Sequence, residues 1–165
     1  MKKIFKKKLK AITLVETIIY LALFAIIFTA IIQFVLSIQE SNLKVNTDNT
    51  LAKQKIFITE HLEDSFRNTS GIDTAQSAFD SDQGRIYLTT STIFKTYYLE
   101  NNRLIFSANG QINPITPDTM NVTKFHLTKI NDLQGIPRAI AVELELAHLT
   151  RSDRKTQINL VLSLD

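Results

Sequence analysis

The sequence predicts an α+β fold: a long N-terminal helix, transmembrane in its first half and amphipathic in its second, packed on a mostly antiparallel β-sheet. Three observations predict it. Residues 18–38 are almost entirely apolar, interrupted only by Tyr20, Thr29, Gln33 and Ser37. No glycine precedes Gly71 and no proline precedes Pro114, so neither helix breaker interrupts the first seventy residues. Beyond Gly71 the apolar period shortens to two, as in strands with one buried face.

The 21 residues of the apolar run would extend about 31 Å as a helix, enough for a bilayer core. After it, Leu43, Thr47, Leu51, Ile58, Leu62 and Phe66 recur at helical intervals, with Gln54 or Lys55 filling the gap. Lys53, Glu60, Glu63, Asp64 and Arg67 take the other faces. One helix over residues 13–68 follows, roughly 80 Å long, with Gly71 supplying its stop. Residues 40–50 are polar and mark where it would loosen.

Strands are expected at "RIYLTT" (85–90), "IFKTYYLE" (93–100) and "RLIFS" (103–107), the last two joined by an Asn101-Asn102 hairpin turn. "NPITPD" (113–118) reads as a loop, "VTKFHLTKI" (122–130) as a strand and "NDLQG" as a turn. In "RAIAVELELAHL" (138–149) Ile140, Val142, Leu144 and Leu146 share one face, with Glu143 and Glu145 opposite. "TQINLVLSL" (156–164) turns Ile158, Leu160, Leu162 and Leu164 inward, and residues 151–154 read as the turn between these two strands. Residues 73–84 are polar, a loop or irregular hairpin.

Charge is unevenly spread. Lys2, Lys3, Lys6, Lys7, Lys8 and Lys10 all fall in the first ten residues. Without these six, 13 Lys and Arg face 16 Asp and Glu, a net of −3, so the basic balance belongs to a short leader. Lysines directly before a span mark the cytoplasmic side. Beside a span they do not read as a nucleic-acid patch, and the remaining net charge gives DNA no support as a partner. Cysteine is absent, which excludes disulfides, thiolate metal sites and cysteine nucleophiles.

A carboxylate at the mouth of the apolar run needs a reason, because desolvating it is costly unless it is paired. A secretory signal has an apolar region of only about 7–15 residues ending in a small-residue cut site, unlike this one. A plain signal anchor fits the length but leaves Glu16 unexplained, unless Glu16 merely rests at the interface, balanced by the lysines. The order basic leader, Ala11, then Ile12-Thr13-Leu14-Val15-Glu16 and a long apolar helix resembles the N-terminus of type IV pilins and pseudopilins. That pattern is Gly, then Phe-Thr-Leu-x-Glu. Thr13, Leu14 and Glu16 match; Ala11 stands where glycine is usual, Ile12 where Phe or Met is usual, and Gln33 where main pilins often carry a helix-kinking proline.

The resemblance implies cleavage by prepilin peptidase between Ala11 and Ile12 and methylation of the new amine on Ile12. It divides the chain into a leader (1–11), a transmembrane helix (12–39), an amphipathic helix (40–70) and a β-rich globular domain (71–165). The cleaved amine would lie four residues before Glu16, on the same helix face. In a bundle, one chain's carboxylate can pair with a neighbour's amine and set axial register. "YYLENNRLIF", "INPITPDTMNVTKFHL" and "GIPRAIAVELELAH" further resemble the larger minor pseudopilins, the J-type of type II secretion and the W-type of type IV pili. Implied partners are other pilin or pseudopilin subunits, prepilin peptidase, the inner-membrane assembly platform and membrane lipid. The expected location is the inner membrane, N-terminus cytoplasmic and C-terminal domain outside, then a filament. The rivals are a main pilus subunit and a signal-anchored binding or adhesion module that never assembles.

Nothing in the chain suggests catalysis or a cofactor. His61, His126 and His148 lack metal-ligand spacing and read as structural. Asp73, Asp80 and Asp82 share one loop before Gly84, but without EF-hand spacing they are weak support for calcium. There is no Gly-x-Ser-x-Gly elbow or phosphate-binding loop.

Overall fold

The computed structural model describes residues 13–91, 93–133, 135 and 137–163. It shows the α+β class expected: one long N-terminal helix, α1 (Leu14–Arg67), and antiparallel sheets built from eight strands. By its internal contacts the chain divides into two units, Met1–Lys44 and Val45–Asp165.

In the first unit every described residue before Lys44 is exposed, including Leu43, which is 56% exposed and takes no part in a buried face. The stripe foreseen from Leu43 therefore begins at Thr47, in the second unit. There Thr47, Leu51, Ile58, Leu62 and Phe66 are buried, and Gln54 rather than Lys55 fills the gap. The Gln54 side-chain amide donates to the Ile115 carbonyl at 2.8 Å. Residues 40–50 do not loosen; α1 runs through them unbroken.

The helix ends without help from Gly71, which opens the first strand. Instead Asn68 and Thr69 turn their side chains back: Asn68 Nδ2 donates to the Asp64 carbonyl at 2.9 Å and Thr69 Oγ1 to the Ser65 carbonyl at 2.6 Å. Thr69 thereby satisfies the Ser65 carbonyl, which its own amide bypasses for Phe66, and Asn68 gives the Asp64 carbonyl a second donor beside its own amide at 3.2 Å.

The strands are β1 (Gly71–Ile72), β2 (Arg85–Thr89), β3 (Phe94–Glu100), β4 (Arg103–Ala108), β5 (Gln111–Pro114), β6 (Met120–Asn131), β7 (Pro137–His148) and β8 (Arg151–Ser163). They form two meanders, a five-stranded sheet β1-β2-β3-β4-β5 and a three-stranded sheet β6-β7-β8, where one sheet was expected. Asn101 and Asn102 both take positive φ (51° and 59°), the geometry of a tight hairpin turn. Asn109 and Gly110 repeat it (52° and 76°), pairing β4 with β5 and drawing Asn113 and Pro114 out of the expected loop.

The expected turn at residues 151–154 is also displaced. Leu149 and Thr150 make the turn, and β8 begins at Arg151. Register then jumps from His148–Arg151 to Ala147–Lys155, which bulges Ser152, Asp153 and Arg154. The bulge brings Arg154 to Asp48 of α1, nitrogen to oxygen 3.4 Å.

The core is the space these faces share. Leu51, Ile58, Leu62 and Phe66 of α1 meet Ile86, Leu88, Tyr97 and Leu104 of the first sheet. Phe125, Leu127, Ile140, Val142, Leu144, Leu146, Ile158 and Leu162 close it from the second. Leu160 is only partly buried, and Leu164 lies outside the described residues. The two sheets meet where residues 80–84 run beside β6: Gly84 donates to the Phe125 carbonyl at 2.7 Å and Phe125 to the Asp82 carbonyl at 2.9 Å. That close approach requires a glycine, since a Cβ at Gly84 would sit 2.6 Å from the Phe125 oxygen.

Candidate functional site

The first turn of α1 gathers three of the residues the sequence singled out. Thr13 precedes the helix, and its Oγ1 accepts the Glu16 amide at 3.3 Å. Thr-x-x-Glu is an N-capping sequence, so Thr13 and Glu16 also have a local reason to be where they are. Glu16, in the first turn, complements the helix dipole. One helical turn on, the Tyr20 hydroxyl donates to Glu16 Oε1 at 3.1 Å. Leu14 starts the helix, 77% exposed. Ala11 and Ile12, the expected cleavage and methylation positions, lie outside the described residues.

Glu16 is the only charged residue between Thr13 and Gln39. Around it the surface is oily: Ile18, Ile19, Leu21, Phe24, Ile27, Phe28 and Phe34 are each at least half exposed. Among the described residues α1 is the one helix long and apolar enough to cross a membrane, and its apolar window is wholly unburied. The Thr29 hydroxyl is satisfied inside the helix by the Ala25 carbonyl at 2.8 Å. Ala25, Ile26, Thr29, Ala30 and Gln33 line a shallow groove along one side.

The histidines resolve into different roles. His61 is half-buried under the first sheet, its Nδ1 2.8 Å from the Tyr97 hydroxyl, which also meets Ser65 Oγ. Burial pulls its pKa below the ordinary 6.5, with Lys95 adding and Asp64 opposing. We therefore assign a neutral ring whose Nδ1 accepts from Tyr97 while the Tyr97 oxygen accepts from Ser65. Burial likewise pushes the Tyr97 hydroxyl well above its usual range. His126 lies 3.1 Å from Asp82, and His148 3.0 Å from the Thr150 hydroxyl.

The acidic loop does not converge. Asp73 accepts the backbone amides of Ala75 and Gln76 at 3.0 and 3.2 Å and the Gln76 side-chain amide at 2.8 Å. Those bonds, the Gln76 side chain first, hold its carboxyl below the usual range. Asp82 is engaged with His126. Among the described residues, no group of three or more His, Cys, Asp or Glu is placed to hold a metal ion.

The outward face of the second sheet is a charge ladder. Lys124 pairs with Glu143 at 2.6 Å, and Glu145 accepts from Thr123 at 2.6 Å and Lys155 at 2.9 Å. The Thr123 and Lys155 hydrogen bonds lower the Glu145 pKa to about 2. These charges neutralise one another.

Sequence reasoning missed two side chains here. Tyr20 was signalled by its i, i+4 spacing from Glu16. Tyr97 carried no local signal, because its partners come from a helix more than thirty residues earlier. Comparison of the chain with protein-family models, curated proteins and solved structures finds no match.

Proposed function

We propose that the chain is the membrane-inserted precursor of a minor pilin or pseudopilin, a structural subunit of a type IV pilus or of a secretion or competence pseudopilus. Prepilin peptidase cuts between Ala11 and Ile12, the Ile12 amine is methylated, and the subunit waits in the inner membrane. Its leader faces the cytoplasm and its second unit lies outside. An assembly platform then extracts it into a filament with other subunits.

One observation carries this reading: the apolar N-terminal stretch of α1, residues 14–39, is wholly exposed and bears a single charge, a carboxylate in its first turn, fifth from the expected cut. In lipid an unpaired carboxylate is expensive, and a neighbour's terminal amine would relieve it. Tyr20 supports it by solvating Glu16 from the same face in the single subunit. The small side chains along Ala25, Thr29 and Ala30 suit close helix contact. The role is structural, with lipid and fellow subunits as partners and no cofactor. The net −3 beyond the leader gives DNA no support.

The test is co-expression with the partner subunits, followed by shearing and separation of filament from membrane. Glu16→Ala should insert in the membrane normally but enter filaments more than about tenfold less, since it strands the neighbour's amine. Equal entry would remove this account of Glu16. Wild-type chain found only in membranes, with filaments present and lacking it, would favour the anchored binding module.

A further inference from the structure

The outer face of the first sheet carries a second candidate site, away from the first turn of α1. Ile86 and Leu88 turn into the core, so alternation sends Arg85, Tyr87 and Thr89 to the other side. On β3 it buries Tyr97 and presents Thr96 and Tyr98; on β4 it presents Ile105 and Ser107. Register sets Arg85 opposite Tyr98, Tyr87 opposite Thr96, and Thr96 opposite Ser107. Arg85, Tyr87, Thr96, Tyr98 and Ser107 together line an open depression of about 420 Å³.

Its parts are chemically specific. The Arg85 guanidinium carbon sits 5.4 Å from the centre of the Tyr98 ring, which holds both side chains in place. Ile105 is 6% exposed yet stands apart from the core cluster; its cross-strand neighbours are Tyr98 and Pro114, so it is an apolar floor under this face. The hydroxyls of Tyr87, Thr96, Tyr98 and Ser107 have no hydrogen-bond partner among the described residues. Four hydroxyls able both to donate and to accept thus surround two partly exposed aromatic rings.

Charge selects among ligands. The attraction of a polyphosphate chain rests mainly on Lys and Arg, but among the described residues Arg85 is the one cation lining the depression. Beyond Tyr98 on the same face Glu100 stands opposite Arg103, whose guanidinium Asp118 engages, so no surplus of cations adjoins the depression there. An apolar partner would leave the hydroxyls desolvated and unpaired. A sugar meets both demands, because its C–H face stacks on a tyrosine ring while its hydroxyls exchange hydrogen bonds with the rim. We propose that this face, built on Tyr87, Tyr98, Arg85, Thr96 and Ser107, binds a neutral oligosaccharide.

The proposal stands independently of the filament reading, since it needs only the first sheet. The chain has no tryptophan and four tyrosines, two of them on this face, so intrinsic tyrosine emission senses a ligand there. Full-length chain in a detergent without a sugar headgroup would be titrated with linear tri- and tetrasaccharides of glucose, mannose, galactose and N-acetylglucosamine. At least one series should give a saturable change. Tyr87→Leu and Tyr98→Leu, the latter keeping Ile105 covered, should each weaken it up to about tenfold while thermal unfolding by circular dichroism stays unchanged. Arg85→Gln should weaken it several-fold. No saturable change with any series, or equal binding by well-folded variants, overturns the proposal. Tighter binding of an oligothymidylate than of every sugar overturns it in favour of nucleic acid.

Discussion

Tyr97 is fully buried, and its hydroxyl is satisfied only because α1 delivers His61 and Ser65 to it. Removing that oxygen leaves both partners facing apolar surroundings. Tyr97→Phe should therefore cost about 1–3 kcal/mol in urea unfolding of the second unit. His61 adds a pH dependence whose sign follows from its lowered pKa. Between the folded value and the ordinary 6.5 the unfolded chain binds more protons, so stability is complete above 6.5 and falls as pH falls. The melting temperature should drop between about pH 7.5 and pH 5, and His61→Gln should flatten that drop. Glu145 acts in a separate window: its stabilisation holds above 4.5 and is lost as pH falls towards about 2. A melting temperature constant from pH 7.5 to 5 would contradict the neutral-ring assignment.

Among the elements, most expectations that held rest on period, with Leu43 and Leu160 as exceptions, and most that failed concern what ends a segment. Ile140, Val142, Leu144 and Leu146 are buried as their alternation required, because one face of β7 meets the core. The Asn101-Asn102 hairpin was legible, since asparagine tolerates positive φ. Asn109-Gly110 is an equally strong turn signal, and it is what pairs β5 with β4. Pro114 there lies at the end of an edge strand, where its missing amide costs no ladder bond. Gly71 looked like a helix stop, but Asn68 and Thr69 perform it with their side chains. Gly84 is the glycine whose lack of a side chain the fold uses. Gly84→Ala would press on the Phe125 carbonyl and the Leu127 side chain and should destabilise the second unit by about 1–3 kcal/mol. A chemical-denaturation midpoint equal to wild type would show that the junction between the sheets yields.

For the whole molecule, the sequence carried the class and the division between an apolar helix and a sheet domain, but not the split into two sheets. Alternation says which side chains turn inward; it does not say which strand is the neighbour, and β5 and β6 follow one another without pairing. The candidate segment at Glu16 was legible because one charge in an apolar run is conspicuous at the level of single residues. The hydroxyl-rich face on β2, β3 and β4 was not, because it exists only once three strands are in register. The proposed processing is a covalent event at one bond, so the mass of the chain isolated from membranes of a host containing its own prepilin peptidase tests it most directly. The expected product is a chain that starts at Ile12 and carries one added methyl group. A chain that retains Lys10 and Ala11 would contradict it.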